Sequence, residues 1–356
     1  MSLLAPTRGD HTDERPEGGL LETGRLHGRD LLLIFLGSIA LTLLLFATTG
    51  FAGRADFLVV LVLIYSVAQT AMSFGREGRR HAADRLLTLG IRLAVGAALL
   101  PLVVVLGYTV YRGISAININ FLTHSMRGVG PLDAGGGIYH AIIGTLQQVL
   151  LTVLIAVPLG LLVAVYLAEY GRGRFASLVR FVVDVMTGVP SIVAGLFIYA
   201  FWVIPRGPSG FAAALALSIL MLPVVVRSAE EMIKLVPDSL REASYALGVP
   251  RYKTILRIVL PTASAGITTG VMLAVARVTG ETAPLILTAQ SLDAINTDPF
   301  SGRQSALATY VYDQASSAGD NFIARAWGAA LVLIIIVLVL YVAARLLTRR
   351  NSLARS

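Results

Sequence analysis

Eight apolar runs, at approximately 31–52, 57–73, 86–111, 140–168, 179–204, 210–227, 264–288 and 327–347, set the limits on what this chain can be. An α-helix needs about 20 apolar residues to cross the roughly 30 Å hydrocarbon core of a bilayer, and most of the runs reach that length. In lipid every backbone N–H and C=O must be paired within the protein, which leaves only helices and closed barrels. The alternation of a barrel strand is missing. The reading is an all-α polytopic membrane protein of about eight helices, the second the shortest. Charged residues make up 14% of the 356, against about a quarter in an ordinary soluble domain.

The net charge of +8 follows topology. Both tails and the alternate connections around 74–85, 169–178 and 228–263 hold most of the 29 Lys and Arg, while the opposite connections hold only Arg54, Arg112, Arg127, Arg206, Arg303 and Arg325. Bases accumulate on the cytoplasmic side, so both termini are expected there, and no nucleic-acid partner is needed to explain the charge. Arg92 and Arg277 lie inside apolar runs. Residues 1–30 mix Arg8, Arg15, Arg25 and Arg29 with six acids and lack the pattern of a cleavable signal, which reads as a disordered cytoplasmic tail. With no Cys, disulfides, thiolate metal ligands and Cys nucleophiles are excluded.

Two outward connections, about 112–139 and 289–326, are long and rich in Gly, Ser, Asp and Asn. Connections of that length are functional or disordered, and these are expected to fold over the outer mouth of a pathway. Gly135, Gly136 and Gly137 in the first read as a flexible hinge. His140 reads as interfacial, since no second ligand lies at metal spacing. Gln147, Gln148 and Asp184 line a path or bond between helices, and Pro190 and Pro223 kink their helices.

The stretch REASYALGVPRYKTILRIVLP, residues 241–261, interrupts this apolar chain on the cytoplasmic side, within a connection of about 228–261. Ser239 and Glu242 fit an S-x-x-E capping box. Leu240, Ala243, Ser244 and Leu247 then form a narrow apolar helical face. Gly248 stands where a left-handed C-cap belongs, with Pro250 behind it. A second amphipathic turn places Tyr252, Ile255, Leu256 and Val259 on one side and Arg251, Lys253 and Arg257 around the other, and Pro261 opens the seventh span. Bases facing anionic lipid account for the charge; a short amphipathic helix docked in a partner's groove accounts for the pattern.

In the seventh span Arg277 and Glu281 fall one helical turn apart. A charge at mid-bilayer costs about 2.5–3.5 kcal/mol on insertion scales, so such residues face a partner or an aqueous path. Arg before Glu at i, i+4 is the poorer order for a helix pair, which favours the path. Arg277 lies about 22 Å beyond Thr262 at 1.5 Å per residue, in the outer half of the membrane. Its planar fork suits a phosphate-like anion, and Glu281 either holds the fork or repels the anion at release.

The register Glu242, Ala243, Ser244, Gly248, Ile258, Leu260 and Pro261 resembles the EAA loop of bacterial ABC importer permeases, which docks into the ATPase subunit; Ser244 stands where that family usually has a second Ala. The stretches GGIYHAIIGTL (136–146), GVPSIVAGLFIYAF (188–201) and ARVTGETAPLILTA (276–289) resemble the PstA family of phosphate importer permeases, over about 86–350. That resemblance implies a type I ABC importer transmembrane domain of six helices in a bacterial cytoplasmic (inner) membrane. It implies coupling through Glu242, Ala243, Ser244, Gly248, Ile258, Leu260 and Pro261, and phosphate passage past Arg277 and Glu281. The implied partners are a PstC-like permease, a PstB-like ATPase dimer bringing ATP and Mg, and a PstS-like phosphate-binding protein. Residues 31–85 add two helices beyond the family's six. No Walker-type G-x-x-x-x-G-K-[ST] and no Gly-Lys pair occurs, so the chain reads as a transporter subunit rather than an enzyme. The alternatives are a PstC-like or other oxyanion permease, and a secondary transporter, for which no inverted repeat is evident.

Overall fold

The computed structural model describes residues 26–49, 53–130, 133 and 135–353; most of the expected tail lies outside the described residues. Long helices cover every apolar run: α1 (Gly28–Thr49), α2 (Arg54–Glu77), α3 (Arg79–Gly113), α5 (Tyr139–Val165), α9 (Gly210–Lys234), α12 (Leu260–Thr279), α15 (Asp320–Leu353) and the pair α6 (Gly173–Thr187) and α7 (Ser191–Ile198). Among the described residues seven helices are long and apolar enough to span a membrane, or eight if the bent pair counts as one span. Shorter helices join them: α4 (Ile119–Thr123), α8 (Ile204–Arg206), α10 (Asp238–Ala246), α11 (Arg251–Thr254), α13 (Ala283–Thr288) and α14 (Leu307–Ser316). The chain forms two compact units, 1–104 and 105–356, the division falling inside α3.

In the first unit the ends of three helices meet on one carboxylate. Glu77 accepts from Leu26 N (2.7 Å), Ser73 Oγ (2.7 Å) and both Nε (2.6 Å) and Nη2 (2.7 Å) of Arg85. In the second unit α9 is central: 67% of its apolar window is buried, against 28% or less for any other spanning helix. Its alanines, among them Ala212, Ala213, Ala214 and Ala216, are fully buried and admit close neighbours, as small residues do where lipid gives no hydrophobic drive. At Gly160 of α5 a Cβ would lie 2.7 Å from Val225 Cγ1 of α9. Gly160→Leu is therefore expected to cost about 1–3 kcal/mol by overpacking, read as a lower unfolding midpoint in detergent.

Two expected spans are broken. The fifth run bends by 103° between residues 173–187 and 191–206, because Pro190 has no N–H to give and restricts Val189 before it. The seventh run begins earlier and ends sooner than its hydropathy suggests. Helix α11 passes through a π-helical turn, Ile255–Val259, directly into α12, so Pro261 lies inside a continuous helix rather than opening one. The chain then leaves the helix at Thr279 and resumes as α13. The two restarts pack together: a Cβ on Gly195 of α7 would lie 2.7 Å from Pro284 Cα of α13.

The described residues of the two long connections, about 112–139 and 289–326, are tied down by specific bonds. In 289–306, Gln304 N donates to Ala289 O (3.1 Å), while Phe211 N donates to Pro299 O (2.7 Å) and Met126 N to Asp293 O (3.1 Å). Gln147 and Gln148 of α5 bond into this loop rather than lining open space: Gln148 Nε2 donates to Gln304 O (3.2 Å), and Gln304 Nε2 donates to Gln147 Oε1 (2.6 Å). The expected glycine hinge is packed instead. A Cβ on Gly137 would lie 2.5 Å from both Phe121 O and His124 O, and the next residue, Ile138, is completely buried.

Candidate functional site: the charged hairpin and the broken spans

The charged stretch folds as a helical hairpin, α10 followed by α11. Gly248 has φ +73; its N–H donates to Tyr245 O (2.9 Å) and Val249 N to Ser244 O (3.2 Å). These two bonds make the Schellman arrangement that closes a helix through a left-handed residue. The expected capping box does not form. Helix α10 starts at Asp238, directly after Pro237, with no side-chain cap bond, because proline's fixed φ of −58 initiates the helix one residue before Ser239. The Ser244 hydroxyl is buried and 2.8 Å from Thr254 Oγ1, which ties the two arms together. Glu242, Ala243 and Gly248 face outward, while Ile258, Leu260 and Pro261 are half-buried.

The apolar positions divide. Ile255 and Val259 enter the core, whereas Leu247 is 83% exposed and Tyr252 and Leu256 are more than half exposed. An apolar patch rimmed by charge marks a contact surface. Beside it opens a cleft of about 720 Å³ lined by Glu169, Arg172, Lys234, Asp238, Glu242 and Arg251 among others.

Two carboxylates anchor the hairpin side of the molecule. Glu169, in the π-helical turn Tyr166–Tyr170 that continues α5, accepts from Arg241 Nε (3.1 Å) and Nη2 (2.9 Å). Arg241 also donates to Ile233 O (2.9 Å) and Asp238 Oδ1 (3.1 Å). Arg251 Nη2 donates to Glu169 O, and its guanidinium stacks 4.6 Å from the Tyr170 ring. Thus α5 grips both arms of the hairpin. The second carboxylate, Glu230 of α9, takes Arg180 Nε of α6 at 3.0 Å and Lys234 Nζ at 2.6 Å. Asp184 pairs with Arg227. Sequence reasoning overlooked Glu169 and Glu230. The signal available was an acid at the end of an apolar run, followed by bases, where an unpaired carboxylate is costly.

At the second break Arg277 is exposed in the last turn of α12, and Glu281 is half-buried beyond the helix end. They do not form a helical i, i+4 pair, since Gly280 N already closes the helix on Arg277 O (3.2 Å) and Glu281 N on Val278 O (3.2 Å). Neither side chain bonds to a described residue. Both lie in or beside the interruption whose restart, α13, packs on α7 across from the Pro190 break. Interrupted spans brought together in this way leave backbone groups and helix ends free to meet a solute.

His140 departs from expectation. It is 2% exposed, neither ring nitrogen bonds to a described residue, and its ring lies edge-on to Tyr310 at 5.6 Å. Burial holds the Tyr310 hydroxyl well above the usual tyrosine range. Among the described residues no three His, Cys, Asp or Glu cluster as metal ligands.

Residues 156–353 match the family model described as binding-protein-dependent transport system inner membrane component. The phosphate transport system permease protein PstA 1 of Mycobacterium tuberculosis (strain H37Rv) is 48% identical over 282 residues, 77% of this chain and 92% of that protein. PstA of Mycobacterium leprae is 48% identical over 73% of this chain and 86% of its own length. PstA of Pasteurella multocida is 39% identical over 75% and 94% respectively.

Proposed function

The chain belongs to the binding-protein-dependent transport system inner membrane component family, and from that premise we propose that it is the PstA-type permease subunit of an ATP-driven phosphate importer. It moves inorganic phosphate inward across a bacterial inner membrane. The hairpin carries this reading: a capped, bolted helix pair presents unpartnered apolar side chains beside a charged cleft, as a part that receives force from another subunit does. The occupant of that face is a PstB-like ATPase dimer, through which ATP and Mg act. A PstC-like permease completes the path and a PstS-like protein delivers phosphate on the outer side. The basic connections support a cytoplasmic position for both termini and the hairpin.

In this scheme Glu242, Ala243 and Gly248 of the hairpin meet the ATPase, Ser244 locks α10 to α11, and Ile258, Leu260 and Pro261 pass the movement into α12. That helix carries Arg277 in its last turn and ends at Thr279. A tilt of α12 therefore moves the Arg277 guanidinium, with Glu281 beyond it, at the place where the two broken spans touch.

Reconstitution with the three partners in proteoliposomes tests the assignment. ATP-dependent uptake of phosphate is expected, and uptake of an unrelated solute with none of phosphate sinks it. Leu247→Asp tests the docking face separately. Leu247 is so exposed that the change costs no packing in the free subunit, yet losing an interface anchor of about 2 kcal/mol or more lowers coupled uptake by roughly thirtyfold or more. Undiminished uptake would place the ATPase elsewhere.

A further inference from the structure

Where α3 ends and α15 begins, the two helices touch through aromatic rings. The Tyr108 and Trp327 rings lie edge to face with centroids 5.1 Å apart, and a Cβ on Gly113 would lie 2.7 Å from Trp327 O. Beside this contact opens a cavity of about 600 Å³, lined by Tyr111, Arg112 and Ser115 at and just past the end of α3 and by Asp320, Ile323 and Trp327 of α15. Asp320, Ile323 and Trp327 recur at i, i+3 and i+7 and so share one helix face.

The two opposite charges of this cavity do not meet. No ion pair joins Arg112 to Asp320, and neither side chain bonds to a described residue; the Arg112 guanidinium has only the Tyr108 ring, 6.0 Å away. Each charge suits the dipole of its own helix, a base in the last turn of α3 and an acid in the first turn of α15, but that leaves the space between them unexplained. Arg325, the next charge on α15, is engaged elsewhere: it donates to Asp133 O and lies 5.5 Å from the Phe322 ring. Level decides what fits between the two charges. The apolar run 86–111 stops here and the run 327–347 starts here, so both helices put the Tyr108–Trp327 contact at the edge of the hydrocarbon, where Tyr and Trp gather. At 1.5 Å per residue Arg112 stands about 6 Å and Asp320 about 10 Å beyond that contact along their own helices, away from the hydrocarbon. A phospholipid with an amine in its headgroup has the same order, with acyl chains deepest, then the phosphate, then the ammonium. An anionic headgroup or a free inorganic anion would meet the Asp320 carboxylate with nothing to offer it. Beside the cavity Tyr111 is 74% exposed, and Ile114 and Ile323 are exposed too.

We propose that this cavity binds the headgroup of an aminophospholipid of the phosphatidylethanolamine class, its phosphate on Arg112, its ammonium on Asp320, and its glycerol and upper acyl chain against Tyr111, Ile323 and Trp327. The bound headgroup bridges two charges that the protein leaves apart and pins the end of α3 to the start of α15 at the membrane surface.

Retained lipid, counted by native mass spectrometry on the full-length chain in neutral detergent, tests this together with the unfolding midpoint. The chain is offered phosphatidylethanolamine, phosphatidylglycerol or diacylglycerol with the same acyl chains, or soluble glycerophosphoethanolamine. Phosphatidylethanolamine should be retained about fivefold over phosphatidylglycerol, the value of one exposed ion pair at the upper end of its range, and should raise the midpoint. Diacylglycerol and glycerophosphoethanolamine should do neither. Asp320→Asn should bring retention of the two phospholipids level, Asp320→Lys should reverse the preference, and Arg112→Gln should lower retention of both. Equal retention of the two phospholipids by the wild-type chain, equal retention of diacylglycerol, equal protection by glycerophosphoethanolamine, or a preference that survives Asp320→Lys overturns the proposal. The wild-type arms decide the matter even where a variant does not fold.

Discussion

Arg277→Gln is expected to lower ATP-dependent phosphate uptake in proteoliposomes by ten- to a hundredfold while membrane insertion and complex assembly stay normal. A charge-assisted hydrogen bond contributes about 1.5–3 kcal/mol, and each 1.4 kcal/mol is about tenfold. The structure favours a large effect because Arg277 is exposed, has no counter-ion among the described residues, and stands in the last turn of α12, where the helix dipole favours a cation. Deleting it removes no hydrogen bond or ion pair to a described residue, so a loss of uptake with assembly intact points to anion binding. Arg277→Lys should recover part of the rate, since a point charge replaces a planar fork. Glu281→Gln should act in the opposite sense on affinity: with no ion pair to Arg277, its carboxylate is expected to repel the anion, so its neutral form should lower both the half-saturating phosphate concentration and the maximal rate. An Arg277→Gln variant that transports at the wild-type rate excludes this residue from the path.

Part of this site was legible in the sequence because the relevant signals are local. Apolar length alone locates every spanning segment, and the Gly248 cap follows from one glycine and one proline. The breaks were not legible as breaks. The apolar runs 179–204 and 264–288 continue on both sides of Gly188–Pro190 and of Gly280–Thr282, and hydropathy averaged along a run does not register a change of direction. Spacing placed Arg277 and Glu281 on one helix, but spacing has meaning only while the helix lasts, and α12 stops between them at Thr279.

Other features depend on distant partners. Arg241 and Glu169 are 72 residues apart and Arg180 and Glu230 are 50 apart, so bases that topology explained on their own turn out to be specifically held. In the sequence Ser244 only stands in place of the family's usual alanine, and only the fold brings Thr254 to its hydroxyl. Gln147 and Gln148 have two open readings in the sequence, path or helix contact, and the loop 289–306 supplies a third by folding back to meet them.

Glu169→Ala is expected to abolish coupled uptake while leaving ATP hydrolysis by the assembled complex in place. The carboxylate and Arg241 are both largely shielded, with side-chain exposures of 4% and 13%, and removing one partner of a buried pair costs about 3–5 kcal/mol because the other charge stays behind. Arg241 keeps its bonds to Ile233 O and Asp238, so the hairpin persists but is no longer fixed to the end of α5. A stabilising brace and a transmitting link both predict a damaged single variant. The double variant Glu169→Ala with Arg241→Leu separates them, because replacing both charges removes the stranded guanidinium and returns much of the lost stability. If the pair transmits the movement of the hairpin to α5, the double variant regains its unfolding midpoint and still fails to couple hydrolysis to uptake. If uptake returns together with the midpoint, the pair only braces the hairpin, and the stroke reaches the membrane through the continuous helix from Arg251 to Thr279 alone.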